Sequence, residues 1–130
     1  MKLSSKTHYG LMACIILGKS DAPVSATSLE SQIAVSNKYL ERIMRMLSVR
    51  GIVSANRGVN GGYYLAKEPK DITIGEIVRT FEDDMEIIEC VSKDGKCKCC
   101  PSQRVWKKLF NGINNLLDEM NLEQAINGRV

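Results

Sequence analysis

The sequence is poor in the features that mark membrane-spanning, secreted or catalytic proteins. No apolar run approaches the roughly 20 residues that a helix needs to cross a bilayer. The segment from Met1 to His8 lacks the apolar core of a secretory signal, so we expect a cytoplasmic protein with no membrane partner. His8 is the only histidine, and no nucleophile, base and orienting group stand in a recognisable catalytic pattern. The sequence therefore predicts neither an enzyme nor a small-molecule substrate.

Proline and low-complexity segments are scarce as well. Only Pro23, Pro69 and Pro101 interrupt the 130 residues, and there is neither an internal repeat nor a Pro- or Ser-rich linker. A hydrophobic content of 44% and a charged content of 25% are typical of a globular chain and disfavour disorder. We therefore expect one compact unit with an appendage.

The charges are unevenly distributed along the chain. Residues 1–67 contain nine Lys and Arg against three acidic residues, a net charge of +6. Residues 68–130 contain nine basic residues against twelve acidic ones, a net charge of −3. This asymmetry predicts that the first half binds a polyanion while the second half has another role.

Two helices are predicted before residue 34. The first spans about residues 5–19 and is amphipathic, because its apolar residues recur at helical spacing. The second is short, begins after the N-cap candidate Ser25 and buries Leu29 and Ile33. The apolar stripe of the first helix consists of Leu11, Met12, Ile15 and Ile16.

A third helix follows Ser36, another N-cap candidate, and ends at Gly51. Residues 52–56 and 63–66 then predict two strands around a glycine-rich tip. The inward face of the third helix consists of Tyr39, Leu40, Ile43, Met44 and Leu47. Its opposite face is polar and carries Asn37, Lys38, Glu41, Arg42 and Arg45.

This order of elements is typical of a mostly α-helical winged helix-turn-helix domain with a small β-hairpin. The third helix is narrow enough for the major groove of DNA and presents basic residues to phosphates and base edges. The hairpin brings Arg57 to a minor groove, and glycines at 58, 61 and 62 let the backbone approach the sugar-phosphate chain. The alternative is a solvated helix face and an ordinary turn. Because helix order, hairpin and charge agree, we expect double-stranded DNA as the partner.

Two further helices are predicted in the acidic half. Thr73 to Glu76 has the pattern of a capping box and opens a helix with Ile77, Val78 and Phe81 inward. A longer helix spans about residues 102–122 and has apolar residues spaced by three and four. They are Trp106, Leu109, Phe110, Ile113, Leu116, Leu117 and Met120. This stripe could pack on its own domain, but few apolar segments remain to cover it, so a homodimer on a pseudo-palindromic operator is preferred.

The five cysteines fall into two groups. Cys14 lies among apolar residues of the first helix and is expected to be a small buried side chain. Cys90, Cys97, Cys99 and Cys100 stand within eleven residues, interleaved with lysines, in a segment that shows no helical period. Neighbouring ammonium groups favour thiolates, which bind metals or react with oxidants. Since the spacing matches neither paired zinc knuckles nor a ferredoxin pattern, a metal site and a redox site both stay open.

Taken together, the segments of the chain resemble the Rrf2 family of bacterial winged-helix regulators, the group of IscR, NsrR and CymR. The resemblance covers essentially the whole chain. It implies a homodimeric transcriptional regulator whose long helices cross between subunits, with an iron-sulfur centre held between the helix after the wing and the dimerisation helix in the cluster-binding members. The segments are residues 1–11 (MKLSSKTHYGL), 36–43 (SNKYLERI), 54–65 (SANRGVNGGYYL) and 73–77 (TIGEI), and Cys100 with Trp106 six residues later.

By motif position, the resemblance implies that Glu41 reads bases and that Arg57 probes the minor groove. The predicted DNA-binding residues are Ser36, Asn37, Lys38, Tyr39, Glu41, Arg42, Arg45, Arg57, Gly58, Asn60 and Gly61.

The resemblance also implies three cysteine ligands for a [2Fe-2S] or [4Fe-4S] cluster. Cys90 matches the first cysteine of the family and Cys100 the third. We favour Cys97 as the middle ligand, with Cys99 as the alternative, because the side chains of the adjacent residues 99 and 100 would diverge. The family usually spaces its second and third cysteines more widely than either choice allows.

The fourth ligand departs from the IscR-like pattern. The position of the histidine ligand in IscR-like members is occupied by Gln103, a poor ligand for iron. In other members a residue near the amino terminus of the opposite subunit completes the site, and His8 holds that place here. The resemblance thus suggests His8 of the partner subunit as the fourth ligand, the alternative being a solvent-facing histidine.

Three functions are therefore compared. The first is a transcriptional repressor whose DNA binding is controlled by an iron-sulfur cluster. The second is a cluster-free thiol sensor on the same scaffold, oxidised or persulfidated at Cys99 or Cys100. The third is a zinc-stabilised adaptor that binds an acidic protein. The expected division of the chain is a winged DNA-binding domain at 1–67, a linking helix and cysteine-rich sensor loop at 68–101, and a dimerisation helix with its tail at 102–130.

Overall fold

The computed structural model describes residues 2–83 and 101–130. Its helices are α1 (Ser5–Lys19), α2 (Ala26–Ile33), α3 (Asn37–Val49), α4 (Ile74–Phe81), α5 (Gln103–Glu119) and α6 (Leu122–Ile126). The strands β1 (Val53–Asn56) and β2 (Gly62–Leu65) pair antiparallel, and a 3₁₀ turn (Pro69–Asp71) precedes α4. The predicted fold class, mostly α-helical with a small hairpin, is confirmed.

The corner between α2 and α3 is formed by local hydrogen bonds. The hydroxyl of Ser25 accepts from the N–H of Ser28 at 3.1 Å, and the hydroxyl of Ser36 accepts from the N–H of Tyr39 at 3.3 Å. Between the helices, Ala34 adopts a left-handed conformation with a φ of 62°, which reverses the chain direction within three residues. Both predicted N-caps are therefore present.

At the start of α4, Thr73 makes the N-cap hydrogen bond of the predicted capping box. The hydroxyl of Thr73 accepts from the N–H of Glu76 at 3.0 Å. The carboxylate of Glu76 lies 3.2 Å from Nζ of Lys67, in the loop after the hairpin. Glu76 therefore connects α4 to the end of the hairpin by an exposed ion pair.

The main core lies where α1, α2 and α3 meet α4 and α6. The predicted inward face of α3 is confirmed for its four aliphatic and thioether side chains, while Tyr39 is half-buried at its edge. The largest fully buried side chains are Leu29, Leu40, Ile43, Met44, Leu47, Ile52, Ile72, Ile77 and Leu122.

The buried stripe of α1 differs from the prediction. Leu11, Met12, Ile15 and Ile16 are half-buried on its flanks. The fully buried positions are instead Thr7, Gly10, Ala13, Cys14 and Leu17. The small residues face α4 because the two helices approach closely there: a Cβ at position 10 would collide with the ring of Phe81. A search for large apolar residues alone does not find a contact face that depends on small ones.

The last predicted helix is in fact two helices. We expected one helix over about 102–122, but α5 ends at Glu119 and Met120 is extended. Asn121 is then the N-cap of α6. Its side-chain oxygen accepts from the N–H of Gln124 at 2.8 Å, and the side-chain oxygen of Gln124 accepts from the N–H of Asn121 at 3.0 Å. This capping box separates the helices, and Leu122 enters the main core.

The described helices include none that is both long enough and apolar enough to span a membrane.

Candidate nucleic-acid interface

One exposed face of α3 is polar and mostly basic. Ser36, Asn37, Lys38, Glu41, Arg42 and Arg45 are all exposed. The opposite face is fixed in the core through Leu40, Ile43 and Leu47, each at most 1% exposed. The helix is therefore held rigidly, while its polar side chains stay available to a partner. A single acidic side chain, Glu41, interrupts the basic face.

Asn37, a predicted DNA contact, makes a hydrogen bond within the subunit through its side-chain amide. Its amide nitrogen donates to the carboxylate of Glu30 on α2. This bond orients the amide at the first position of α3 and leaves its carbonyl oxygen for another donor. Asn37 therefore fixes the helix corner as well as facing outward.

Tyr39 joins the first turn of α3 to α1. Its hydroxyl lies 3.3 Å from the hydroxyl of Ser5, and its ring meets the ring of Tyr9 edge-on with centroids 5.9 Å apart. Edge-to-face rings and a paired hydroxyl restrict the rotamer of a half-buried tyrosine. The structure thus gives Tyr39 a positioning contact within the subunit.

The hairpin tip is a second exposed surface. Arg57, Gly58, Val59 and Asn60 are exposed, and Val59 is completely so. Gly58 has a φ of +107°, which side chains rarely adopt, with open space around it. Gly61 has a different role, because a Cβ there would collide with the backbone of residues 56–58 across the tip. Glycine is therefore required within the hairpin itself, quite apart from any approach to DNA.

The hairpin is anchored to the turn before α2. Tyr63 and Val24 exchange two backbone hydrogen bonds, from the N–H of Val24 at 2.9 Å and from the N–H of Tyr63 at 2.8 Å. Burial, with a smaller contribution from the charge of Glu41, raises the pKa of Tyr63. The helix α3 also contacts strand β1 of this hairpin directly.

The predicted cysteine ligands Cys90, Cys97, Cys99 and Cys100 lie outside the described residues. His8 is exposed in the first turns of α1, with its ring tilted against that of Tyr9. An exposed imidazole is accessible from outside the subunit. Gln103 is the first residue of α5.

Cys14 is buried, as expected from its apolar neighbours. Its exposed fraction is 0%, and burial raises the pKa of its thiol to about 12. A protonated, inaccessible thiol neither binds a metal nor reacts readily with oxidants. Cys14 is therefore a core residue.

The two sides of α5 have different surroundings. Phe110, Ile113, Leu117 and Met120 pack against Ile74 and Val78 of α4. On the other side, Val105, Leu109 and Leu116 are 61%, 46% and 57% exposed. These three, with the open position Gly112, form what we call the outer stripe of α5. Of the seven residues of the predicted apolar stripe, four are thus covered within the subunit, Trp106 is half-buried, and Leu109 and Leu116 are exposed.

Sequence reasoning did not find the polar contacts that connect α4 to α5 and to the end of α3. The guanidinium of Arg79 donates to Asp118 at 2.6 Å and to Asn114 at 2.8 Å, and the carbonyl of Arg79 accepts from Arg50 at 3.3 Å. A chain of contacts therefore runs from the end of α3 through α4 to α5. Its members are far apart in sequence and form no short motif.

A family model described as "Iron-dependent Transcriptional regulator", Rrf2, matches residues 3–128. The chain is 28% identical to the HTH-type transcriptional regulator IscR of Photorhabdus laumondii, over 99% of this chain and 81% of the relative. These relatives are transcriptional regulators and not enzymes.

Solved structures are similar over the same length. CymR, titled the global cysteine regulator of B. subtilis, superposes with a TM-score of 0.83 at 33% identity, covering 98% of this chain and 97% of CymR. IscR of T. potens superposes with a TM-score of 0.81 at 32% identity, covering 100% and 89% of the two chains. The chain is therefore comparably similar to both regulators.

Proposed function

The chain belongs to the Rrf2 family of transcriptional regulators, and from that premise we propose that it binds operator DNA as a homodimer under the control of an iron-sulfur cluster. The observation that carries this proposal is the exposed basic face of α3, which is fixed from behind by the main core, together with the exposed tip of the hairpin whose strand β1 contacts α3. The proposal includes a division of the chain into a DNA-binding domain at 1–67, a linking helix and sensor loop at 68–101, and a dimerisation helix with its tail at 102–130.

DNA binding is supported by the character of the exposed side chains. Lys38, Arg42 and Arg45 supply positive charge for phosphates, and Glu41 supplies an acceptor for a cytosine amino group. Arg57 on the hairpin tip is long enough for a minor groove, whose negative potential attracts guanidinium groups. The remaining predicted contacts, Ser36, Asn37, Tyr39, Gly58, Asn60 and Gly61, flank these on the same two elements.

A homodimer is supported by the outer stripe of α5. An apolar stripe over three turns of a helix is stabilised by burial against a similar surface. A two-fold axis through it would pair two α3 helices, as a pseudo-palindromic operator requires.

The donor set fits an iron-sulfur cluster. Cys90, Cys97 (or Cys99) and Cys100 offer thiolates beside lysines, and His8 of the partner subunit offers an accessible imidazole. The cluster would supply a redox- and ligand-sensitive iron centre at this point. The protein's own contribution is to link the cysteine segment to α4 on one side and to α5 on the other, since these helices flank it in sequence.

The signal would then be transmitted as a shift between conformations of the dimer. The α3–α4–α5 contacts through Arg50, Arg79 and Asp118 connect the DNA-binding helix to the dimerisation helix. A coupling of ~1–3 kcal/mol would change operator affinity by roughly 5- to 150-fold.

The test is anaerobic purification with an absorbance spectrum and with iron and sulfide analysis. It is repeated on single Cys→Ala variants at positions 90, 97, 99 and 100, with Cys14→Ala as the matched control. We expect visible absorbance and stoichiometric sulfide in the wild type, loss of both at positions 90 and 100, and no change at position 14. His8→Ala should alter the spectrum or shorten the lifetime of the cluster. An unchanged spectrum would remove His8 from the ligand set.

A cluster-free thiol sensor is the second candidate, and repression by it would need no iron. Two observations favour it: Gln103 stands at the position of the IscR-like histidine, and the chain is as similar to CymR as to IscR. Colourless, metal-free protein whose operator affinity changes on oxidation at Cys99 or Cys100 would support this candidate. Family membership favours both regulators over the zinc-stabilised adaptor, which would bind zinc without acid-labile sulfide.

A further inference from the structure

Glu82 is the residue immediately after α4, and its carboxylate binds the N-terminal end of α1. One oxygen, Oε1, accepts from the backbone N–H of Ser4 at 2.6 Å and from the hydroxyl of Thr7 at 2.7 Å. These two hydrogen bonds hold the pKa of Glu82 below its usual value. Glu82 is therefore ionised at neutral pH and contacts α1 as an anion.

The first turn of α1 has a specific need for this anion. Residues 5–8 contain no acidic side chain, although the free N–H groups and the dipole of a helix favour negative charge there. Thr7 is 4% exposed, and its hydroxyl donates to Glu82. Removal of the carboxylate would leave a buried hydroxyl without this acceptor, which destabilises the local structure.

The same turn of α1 contacts the first turn of α3. The hydroxyl of Ser5 lies 3.3 Å from that of Tyr39, and the rings of Tyr9 and Tyr39 meet edge-on. A displacement at Ser4 and Thr7 therefore reaches Tyr39 through two neighbouring side chains. Tyr39 stands between Lys38 and the exposed residues Glu41 and Arg42 on α3.

We propose that Glu82 is a positioning residue for DNA recognition, which fixes the first turn of α1 and, through Ser5 and Tyr9, the orientation of the first turn of α3. This inference rests on the proposed function, because operator affinity is its main readout. Glu82 lies eight residues before Cys90 in sequence. A movement of the chain at Glu82 that withdraws the carboxylate from Ser4 and Thr7 would weaken the contacts that orient the first turn of α3.

The test compares DNA affinity, stability and amide exchange in matched variants. The probes are a duplex that the wild-type protein selects from a random-sequence pool and an unselected duplex of equal length. Glu82→Ala removes the acceptor, whereas Glu82→Gln keeps an oxygen that can accept both hydrogen bonds. Glu68→Ala controls for the loss of one exposed acidic side chain. Ile33→Val in α2 controls for a general loss of stability.

We expect Glu82→Ala to weaken binding of the selected duplex by about 5-fold or more. Glu82→Gln should restore part of this affinity. Glu68→Ala and Ile33→Val should bind like the wild type, since both stay folded. Amide exchange in the first turns of α1 and α3 should accelerate in Glu82→Ala and not in Ile33→Val.

Variants at Thr7 extend the test if Glu82→Ala does not fold. Thr7→Val removes the donated hydroxyl at nearly constant volume and should lower affinity, whereas Thr7→Ser should restore it. The inference is overturned if Glu82→Ala or Thr7→Val binds the selected duplex like the wild type, or if exchange in α3 is unchanged. A wild type that selects no duplex would instead contradict the proposed function, and the exchange measurement would still decide the role of Glu82.

Discussion

The helices α3 and α5 are both amphipathic, but only α3 has its apolar face completely covered. Four side chains of α3 (Leu40, Ile43, Met44 and Leu47) are at most 1% exposed, and the opposite face is polar, with one exposed apolar side chain, Val49, at the end of the helix. No residue of α5 is fully buried by the described parts of the chain, and Leu116 on its outer stripe is 57% exposed. A hydrophobic stripe at helical spacing therefore predicts an apolar contact without telling which chain provides it.

The difference indicates opposite kinds of partner for the two helices. The exposed side chains on the polar face of α3 are mostly charged and suit a polyanion, whose contribution to affinity falls with salt. The exposed side chains on the outer stripe of α5 are aliphatic and suit a similar apolar surface, whose contribution is much less sensitive to salt. The four sets of variants below test whether this contrast holds.

Ile43→Ala should give the largest effect, because it opens a cavity under the basic face of α3. We expect a loss of about 2–5 kcal/mol in the free energy of unfolding, measured by urea denaturation. The control is Leu116→Ala on the outer stripe of α5, which should lose no more than about 0.5 kcal/mol when the protein is monomeric. Equal losses in the two variants would contradict the contrast between the helices.

Leu109→Asp should separate the proposed dimer by placing a charge in the outer stripe of α5. The mass measured by light scattering should fall to that of one chain, and affinity for the selected duplex should fall by roughly 100-fold, because two linked half-site contacts become independent. Asn111→Asp adds the same charge at another exposed position of α5 and should leave the mass unchanged. A Leu109→Asp protein of wild-type mass would remove the outer stripe from the interface.

Arg42→Ala and Arg57→Ala should each weaken specific binding by about 1–3 kcal/mol, through the loss of a base or phosphate contact. The measurement is a titration of the selected duplex by fluorescence anisotropy at two salt concentrations. The matched control is Arg129→Ala, which removes an exposed arginine of the C-terminal end. Wild-type affinity in Arg57→Ala would show that the hairpin tip does not contact DNA.

Asp118→Asn should give the smallest effect. The ion pair with Arg79 is partly exposed, at 34% and 51% of the two side chains, so solvent screens it. We expect a loss of about 0.2–1 kcal/mol in the free energy of unfolding, and a smaller loss at high salt. Glu119→Gln, at the neighbouring exposed position, controls for the change in net charge. A loss as large as that of Ile43→Ala would mean that polar contacts rather than packing hold α5 on α4.

The parts of the fold that depend on neighbouring residues could be predicted from the sequence. The N-caps Ser25 and Ser36, the inward side chains of α3 and the glycine-rich hairpin each have a signal within a few residues. The end of α5 had a signal too, since Asn121 and Gln124 stand at capping-box spacing. The apolar spacing that continues to Leu122 concealed it.

Contacts between distant segments could not be predicted in this way. Glu82 lies 78 residues from Ser4, and Arg79 lies 39 residues from Asp118. A carboxylate or a guanidinium in such a position has many chemically equivalent partners along the chain, and only the packed fold selects one. The assignment of DNA contacts and of cluster ligands stays a prediction for a similar reason, because each depends on a partner outside the subunit.

The position of Leu122 has a consequence for the order of events during synthesis. This side chain is 0% exposed in the core that supports α3, and its N–H donates to the carbonyl of Ile72 at 2.8 Å. A ribosome releases residue 122 only after the whole of α5, so the core beneath the basic face is completed last. The exposed surface of α3 therefore gains its full support from the core only after residue 122 is available to fold.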